Sequence, residues 1–382
     1  MQTIKFFADI APHYRSPIWN KLINNPTWDM HFFFGDSENG VAAIDFEKEE
    51  FPSNKQRLHK VKNYWWKKET LLWQTKVIRE CCGRKFDFAI FTSEMSRPST
   101  WIALLICRLR GIQIFFWAHG LYGREKGYKL KLKKIFFKLG HKILLYERRS
   151  KKFHIQQGFK PDNLYVVFNS LDYDAHKLLN QQLEGLDKRN VFTFFKNPLL
   201  PVIIFIGRLT RVKKLDMLLD ALNQMNDKAT KVNLLIIGEG SERNILEELG
   251  KIGLDNKWLH FTGACYDEFE IGKYLSMSDL CVSPGNVGLT GIHSLSFGTP
   301  VATHDNMINQ MPEAEAIEDG YNGFFFKEND VDDMRDKIES WIENMDRELL
   351  RRRSYEIIDK YYNPHYQLTV FERLISGKKP EL

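Results

Sequence analysis

Arg208, Arg211, Lys213 and Lys214 follow an apolar run, Val202 to Ile206, that ends in Gly207. A short buried strand is the reading of such a run, so the cations emerge at its carboxyl end, where they could neutralise an anion. Downstream, Leu280 to Ser283 is a second short strand, ended by Pro284-Gly285. Gly288 then lets backbone come close to a ligand, and Leu289, Ile292 and Leu295 share one helical face. Gly298 sits where a left-handed residue closes a helix, and Pro300 forbids continuation before Val301 to Thr303 resumes as a strand. Unpaired N–H groups at Leu289, Thr290 and Gly291 would point out at the strand ends, where phosphates bind readily. Taken alone, this strand-loop-helix-strand unit fits either nucleotide binding or plain crossover packing.

The same grammar recurs around it. A helix carrying Leu215, Leu218, Leu219 and Leu222 follows the basic loop, then a strand Leu234 to Ile237, a turn Gly238-Glu239-Gly240 and a helix from about Glu242. In the first half, Thr3 to Ala8 reads as the first strand, Asp9 to Ser16 as a loop and Pro17 to Ile23 as a helix with proline at its first position. His31 to Phe34, Phe86 to Phe91 and Gln113 to Trp117 read as strands, and Trp65 to Cys82 and Ser99 to Arg110 as helices. Alternating strands and helices predict an α/β protein with parallel sheets. His119 stands at a strand's carboxyl end before Gly120, able to hydrogen-bond a hydroxyl or assist a proton transfer, or simply to cap a loop. His13, Tyr14 and Arg15 form a polar group on the first loop; Arg15 could meet an anionic acceptor or a diphosphate, or be a solvated arginine.

In order and spacing, these pieces resemble the nucleotide-binding half of the GT-B glycosyltransferases, in particular the retaining family 4. The resemblance rests on Gly207-Arg208-Leu209 with Lys213, Ile237-Gly238-Glu239-Gly240, Phe261-Thr262-Gly263, Ser278-Asp279-Leu280 and Phe297-Gly298-Thr299-Pro300-Val301. It extends to Glu315, Glu318-Asp319-Gly320 and Asn322-Gly323, and Phe168-Asn169-Ser170-Leu171-Asp172 is similar to the segment that precedes the family's linker. The resemblance covers about 165–345 well and the first half in outline. It implies two Rossmann-like domains facing a central cleft: an acceptor domain at 1–172, a linker at 173–200 and a donor domain at 201–364, with a last helix, 365–382, crossing back. The activity implied is transfer of a sugar from a nucleotide sugar, UDP- or GDP-linked, with retention. Gly207, Arg208, Lys213, Gly238, Gly288, Leu289, Thr290, His293 and Glu315 would contact the donor, His119, Arg208 and Lys213 would carry the chemistry, and His13, Tyr14 and Arg15 would lie on the acceptor side. One departure stands out. The family's two glutamates, separated by seven residues, are here Gly285 and His293. His293 can still exchange one hydrogen bond with a ribose hydroxyl, or be a satisfied polar residue at a helix contact.

Composition agrees with two domains. The 382 residues are 43% hydrophobic and 13% aromatic, ample for two cores, with no low-complexity tract. The five cysteines have no paired metal-ligand spacing, which fits a reducing cytoplasm. No signal peptide is legible at Met1 to Ala8, and no run of about 18 apolar residues spans a bilayer. Asp172-Tyr173-Asp174 and Asp330-Val331-Asp332 fall away from the expected diphosphate site, so no catalytic metal and no further cofactor is expected. The net charge is +6, yet Arg124 to Lys152 alone holds twelve Lys/Arg against Glu125 and Glu147. Leu132, Ile135, Phe136 and Leu139 fall on one helical face there; this face is expected to pack on the sheet, leaving a basic rim toward an anionic membrane and a lipid-linked acceptor. The basic stretch could otherwise be a solvated surface. Nucleic acid is not an expected partner, because no binding module is present and acidic patches such as Asp45 to Glu50 offset the charge. Alternatives to a transferase in cell-surface polysaccharide synthesis are a nucleotide-sugar epimerase on the same fold, which would want carboxylates where Gly285 and His293 stand, or a nucleotide-sugar-binding protein with weak or lost activity.

Overall fold

The computed structural model describes residues 1–35, 55–66, 70–92 and 94–382. The acidic stretch Asp45 to Glu50 lies outside the described residues. The chain divides into two compact units, Met1–Asp172 with Pro364–Leu382, and Tyr173–Asn363.

In the first unit, β1 (Gln2–Ala8), β2 (Trp28–Gly35), β3 (Leu58–Val61), β6 (Phe88–Phe91), β7 (Gln113–Ala118), β8 (Lys142–Leu145) and β9 (Leu164–Val166) form one sheet in the order β3-β2-β1-β6-β7-β8-β9. Every pairing in it is parallel. Successive side chains alternate between faces, as a pleat requires. Phe6, Phe32 and Trp117 join Trp19 of the helix Ser16–Ile23 and Phe371 of the C-terminal helix Pro364–Ile375 on one side. Phe7, Phe33, Phe91 and Phe116 meet Leu104 and Phe136 on the other. Helices cover both faces, so strands rich in phenylalanine are buried throughout.

Two expectations are corrected here. The helix read over Trp65 to Cys82 is shorter: β4 (Tyr64–Trp66) pairs antiparallel with β5 (Leu71–Trp73), and the helix spans Thr75–Cys82. Aromatic residues suit a hairpin's cross-strand contacts, as Trp66 and Trp73 show with ring centroids 6.5 Å apart. Gln74, between the hairpin and the helix, is buried, and its side-chain amide donates to Asn63 Oδ1 at 2.8 Å. In the basic segment, the helix Gly127–Lys138 turns a different face inward from the one its apolar spacing suggests. Leu132 and Ile135 are 42% and 55% exposed, while Lys133 is buried and paired with Glu125 at 2.8 Å. Adjacent Phe136 and Phe137 anchor the helix, and satisfying both rotates Lys133 inward.

The second unit carries β10 (Val202–Ile206), β11 (Asn233–Ile237), β12 (Leu259–Gly263), β13 (Leu280–Ser283), β14 (Val301–His304) and β15 (Gly323–Phe326), in the order β12-β11-β10-β13-β14-β15. All pairings are again parallel. Leu215, Leu218, Leu219 and Leu222 seal one face together with Phe205 and Ile236. Residues 173–200 hold the helices Tyr173–Gln182 and Lys188–Val191, and they cluster with this unit. Strand order reverses between β10 and β13. The connections that leave such a pair of strands run to opposite faces, and the strand ends beside the reversal are the usual ligand position in such sheets.

Candidate functional site

The loops after β10 and β13 meet at that reversal. Gly285 N–H donates to the Lys213 carbonyl at 3.0 Å, and Lys213 Nζ donates to Asn286 O at 2.8 Å and to Asn286 Oδ1 at 2.9 Å. Buried Gln310 holds the same loop from behind: its Oε1 accepts from Val287 N–H at 2.8 Å while its Nε2 donates to Thr303 Oγ1 and to the His304 carbonyl. A side chain at Gly285 would place Cβ 2.0 Å from the Val212 carbonyl oxygen and 2.8 Å from Lys213 Cα. The glutamate of the family pattern is thus excluded by backbone, and Gly285 is what lets the two loops touch.

Gly288 precedes the helix Leu289–Ser296 with no side-chain cap, and the space beside its Cα is open. The first N–H groups of this helix, including those of Leu289 and Thr290, form a donor-rich end facing that space. Thr290 itself is committed, donating its hydroxyl to the Ile206 carbonyl at 3.0 Å, so it ties the helix to the end of β10. Arg208 is exposed and makes no ion pair among the described residues. Burial holds the Lys213 ammonium below its usual range; the Arg208 charge pushes the same way, and Glu313 opposes both. That acid is a residue missed from sequence. Glu313, two residues before Glu315, is buried in the turn Pro312–Ala316 and reaches Lys213 electrostatically. At the neighbouring strand ends, Gly207 N–H donates to the Ile237 carbonyl and Gly238 N–H to the Gly263 carbonyl, and a Cβ on Gly238 would overlap the Gly207 carbonyl oxygen.

His293 is not free in the crevice. Its Nε2 lies 2.6 Å from Glu268 Oε1, and His176 Nε2 lies 2.9 Å from the same oxygen. Burial pushes the Glu268 carboxyl up, but the two imidazoles outweigh it and hold the group well below the usual carboxylate range. Nothing in sequence spacing announced this group. The Asp-x-Asp carboxylate Asp330 caps the helix Val331–Asn344, accepting from Asp333 N–H at 3.0 Å.

The first unit gathers a second set at the ends of β1, β7 and β8. Arg15 lies over the rings of Trp117 and Tyr146, its guanidinium carbon 4.9 and 5.1 Å from their centroids, and donates to the Tyr146 hydroxyl. His119 packs on the same tyrosine with centroids 4.7 Å apart, and its backbone carbonyl accepts from Ser150 Oγ at 2.8 Å. Burial, with help from Arg15 and Lys133, pulls its imidazole down to about 4. A neutral ring results near pH 7, with a buried Nδ1 that has no hydrogen-bond partner among the described residues. The Arg15 guanidinium carbon also lies 5.5 Å from the Tyr14 ring centroid, whereas His13 is exposed.

Comparisons with known proteins bear on the family and the fold. Residues 188–373 match the family described as Glycosyl transferases group 1. An alpha-D-kanosaminyltransferase of Streptomyces kanamyceticus is 26% identical over 182 residues, 46% of this chain and 42% of that protein. A GDP-mannose-dependent alpha-(1-6)-phosphatidylinositol dimannoside mannosyltransferase of Mycobacterium tuberculosis is 33% identical over 102 residues, 26% of each. The matched segments thus span less than half the length of these curated relatives. Among solved structures, Anabaena Alr3699/HepE in complex with UDP superposes with a TM-score of 0.68 at 16% identity, covering 98% of this chain and 100% of that one. The lipopolysaccharide outer core galactosyltransferase WaaB, in its apo form, gives a TM-score of 0.69 at 14% identity over 98% and 99%. Residues 188–373 are thus similar to the group 1 glycosyl transferases, and the two parallel sheets are those of the GT-B fold.

Proposed function

We propose that this protein transfers a sugar, with retention, from a UDP- or GDP-linked donor to a glycan or lipid-linked acceptor in the synthesis of a cell-surface polysaccharide, on the cytoplasmic side of the membrane. The observation that carries this reading is the junction of exposed Arg208, half-buried Lys213 and an uncapped helix N-terminus at the β10/β13 reversal. All three put positive charge where a nucleoside diphosphate would develop charge as it leaves. Arg208 and Lys213 would do this without a divalent ion. Neutral His119 would hydrogen-bond a sugar hydroxyl rather than act as a strong acid, and Arg15, held by aromatic rings, would orient the acceptor. The names of the mycobacterial relative and of the UDP complex support the donor class and a lipid-linked acceptor.

A thermal-shift screen of nucleotide sugars tests the donor, since a ligand that binds only the folded state raises the melting temperature. One UDP- or GDP-sugar is expected to stabilise the protein, and NMR of the transfer product should show the donor's anomeric configuration kept, at a rate that added Mg²⁺ or Mn²⁺ does not raise. An inverted product would contradict retention.

The acceptor reading includes a membrane surface. No helix among the described residues is long and apolar enough to cross a bilayer. The helix Gly127–Lys138 instead leaves Tyr128, Leu132 and Ile135 exposed beside Lys129 and Lys131. Apolar groups flanked by cations suit an anionic headgroup layer, each near-surface cation contributing about 1 kcal/mol. Binding to vesicles is expected to rise with anionic lipid and to fall as salt shortens the Debye length from about 10 Å at 0.1 M to about 3 Å at 1 M. Equal binding to neutral and anionic vesicles would leave these lysines as a solvated face.

A further inference from the structure

We infer that His176, Glu268 and His293 form a binding site for one divalent transition-metal ion, Zn²⁺ by the character of its ligands. The three come from three helices, Tyr173–Gln182, Glu268–Met277 and Leu289–Ser296. Their ligand atoms lie within 4.8 Å of one another, the one such group among the described residues. The inference does not depend on the transferase reading.

Proton positions carry the argument. Ser296 Oγ donates its single proton to the His293 carbonyl at 2.8 Å. The same oxygen lies 3.1 Å from His176 Nδ1; with its proton on that carbonyl it accepts there, and His176 then carries its own proton on Nδ1. In a neutral imidazole the other nitrogen is then bare. Yet His176 Nε2 faces Glu268 Oε1 at 2.9 Å, a lone pair against a carboxylate oxygen that already lies 2.6 Å from His293 Nε2. A positive centre between the three relieves that repulsion. It is either a proton making His176 an imidazolium, or a metal ion.

Three features favour the metal. A histidine ligand normally donates its other ring N–H to an acceptor that fixes tautomer and orientation, which is the part Ser296 plays for His176. The Phe297 ring packs at 5.0 Å from His176 and 5.6 Å from His293, making one side of the group apolar, while the Glu268 side chain is 42% exposed and offers an entry path. Two imidazoles and one carboxylate are the ligand types of three-residue zinc sites that keep a fourth position for water, whereas Mg²⁺ and Ca²⁺ prefer oxygen alone. Bonds of about 2.0 to 2.1 Å in a tetrahedron set neighbouring ligand atoms roughly 3.3 Å apart, so each nitrogen would move several tenths of an ångström away from the carboxylate oxygen on binding. The ion would tie the helix carrying His293 to the two others.

The test uses the full chain, stripped with a chelator and dialysed. Zn²⁺ titrated in competition with a chromophoric chelator should bind with a stoichiometry of one and raise the melting temperature, and Co²⁺ should give the visible bands of a four-coordinate site. Glu268→Gln keeps the side chain's shape and should cost at least about 100-fold in Zn²⁺ affinity, and Ser296→Ala about 10- to 100-fold. His293→Ala should abolish the Co²⁺ bands. The inference is overturned if the native chain takes up no ion at tens of micromolar Zn²⁺. It is equally overturned if the three variants bind as the native chain does, or if ¹⁵N NMR of the metal-exposed protein shows His176 protonated on both nitrogens.

Discussion

Replacing Arg208 and Lys213 together by alanine is expected to lower turnover by several powers of ten, each deletion costing on the order of 2 to 4 kcal/mol of transition-state stabilisation. The two cations do different work. Arg208 is exposed and unpaired among the described residues, so its charge is available to a ligand and Arg208→Ala should leave the melting temperature nearly unchanged. Lys213 also clamps the following loop through Asn286, so its loss should lower both turnover and stability. Lys213→Arg separates the two roles: a guanidinium keeps the charge but does not reproduce an ammonium's contacts on Asn286. Near-native transfer by the double variant, with a donor the native enzyme uses, would remove the diphosphate site from this crevice.

A second large effect is expected at Gly285. Its φ is unremarkable, but a Cβ there would overlap the Val212 carbonyl oxygen at 2.0 Å, and backbone cannot swing aside as a side chain can. Even Gly285→Ala should therefore force the β10 and β13 loops apart, destabilising the second unit by on the order of 2 to 4 kcal/mol. Gly285→Glu, which restores the family's carboxylate, should be no better. Because Gly285 N–H also donates to the Lys213 carbonyl, separation of the loops should weaken nucleoside diphosphate binding along with stability. A Gly285→Glu protein that melts like the native chain and binds donor as tightly would show that the loops are not packed as described.

The second unit was legible because its punctuation is strong. Short β-branched strands such as Val202–Ile206 end in glycine, and Leu215, Leu218, Leu219 and Leu222 repeat at helical spacing, so period and breaker agree. Arg208, Lys213 and the helix after Gly288 could be placed at one end of the sheet on those grounds. The first unit was harder to read. Trp65 to Cys82 mixes aromatic residues with a true helix, and only the pairing of Tyr64 with Trp73 decides for a hairpin over its first part. In the basic helix, the spacing of Leu132 and Ile135 pointed inward, but Lys133 takes the buried position because Glu125 is there to meet it. Partners distant in sequence were invisible for a similar reason. Glu268 reaches His176 and His293, and Gln310 reaches Val287, only once three helices and two loops have folded against the same sheet. His293 was found by position, and of its two readings the structure shows the polar residue satisfied at a helix contact, its carboxylate partner supplied by another helix.

Calorimetric titration of UDP- and GDP-sugars into the native protein and into the Arg208→Ala/Lys213→Ala variant tests the central claim most directly. The native chain is predicted to bind one of these donors at a stoichiometry of one, and the double variant, still folded by its melting curve, to lose that binding by at least about 100-fold, the equivalent of about 2.7 kcal/mol. Equal affinity in the two proteins, or no donor bound by the native chain, would contradict it.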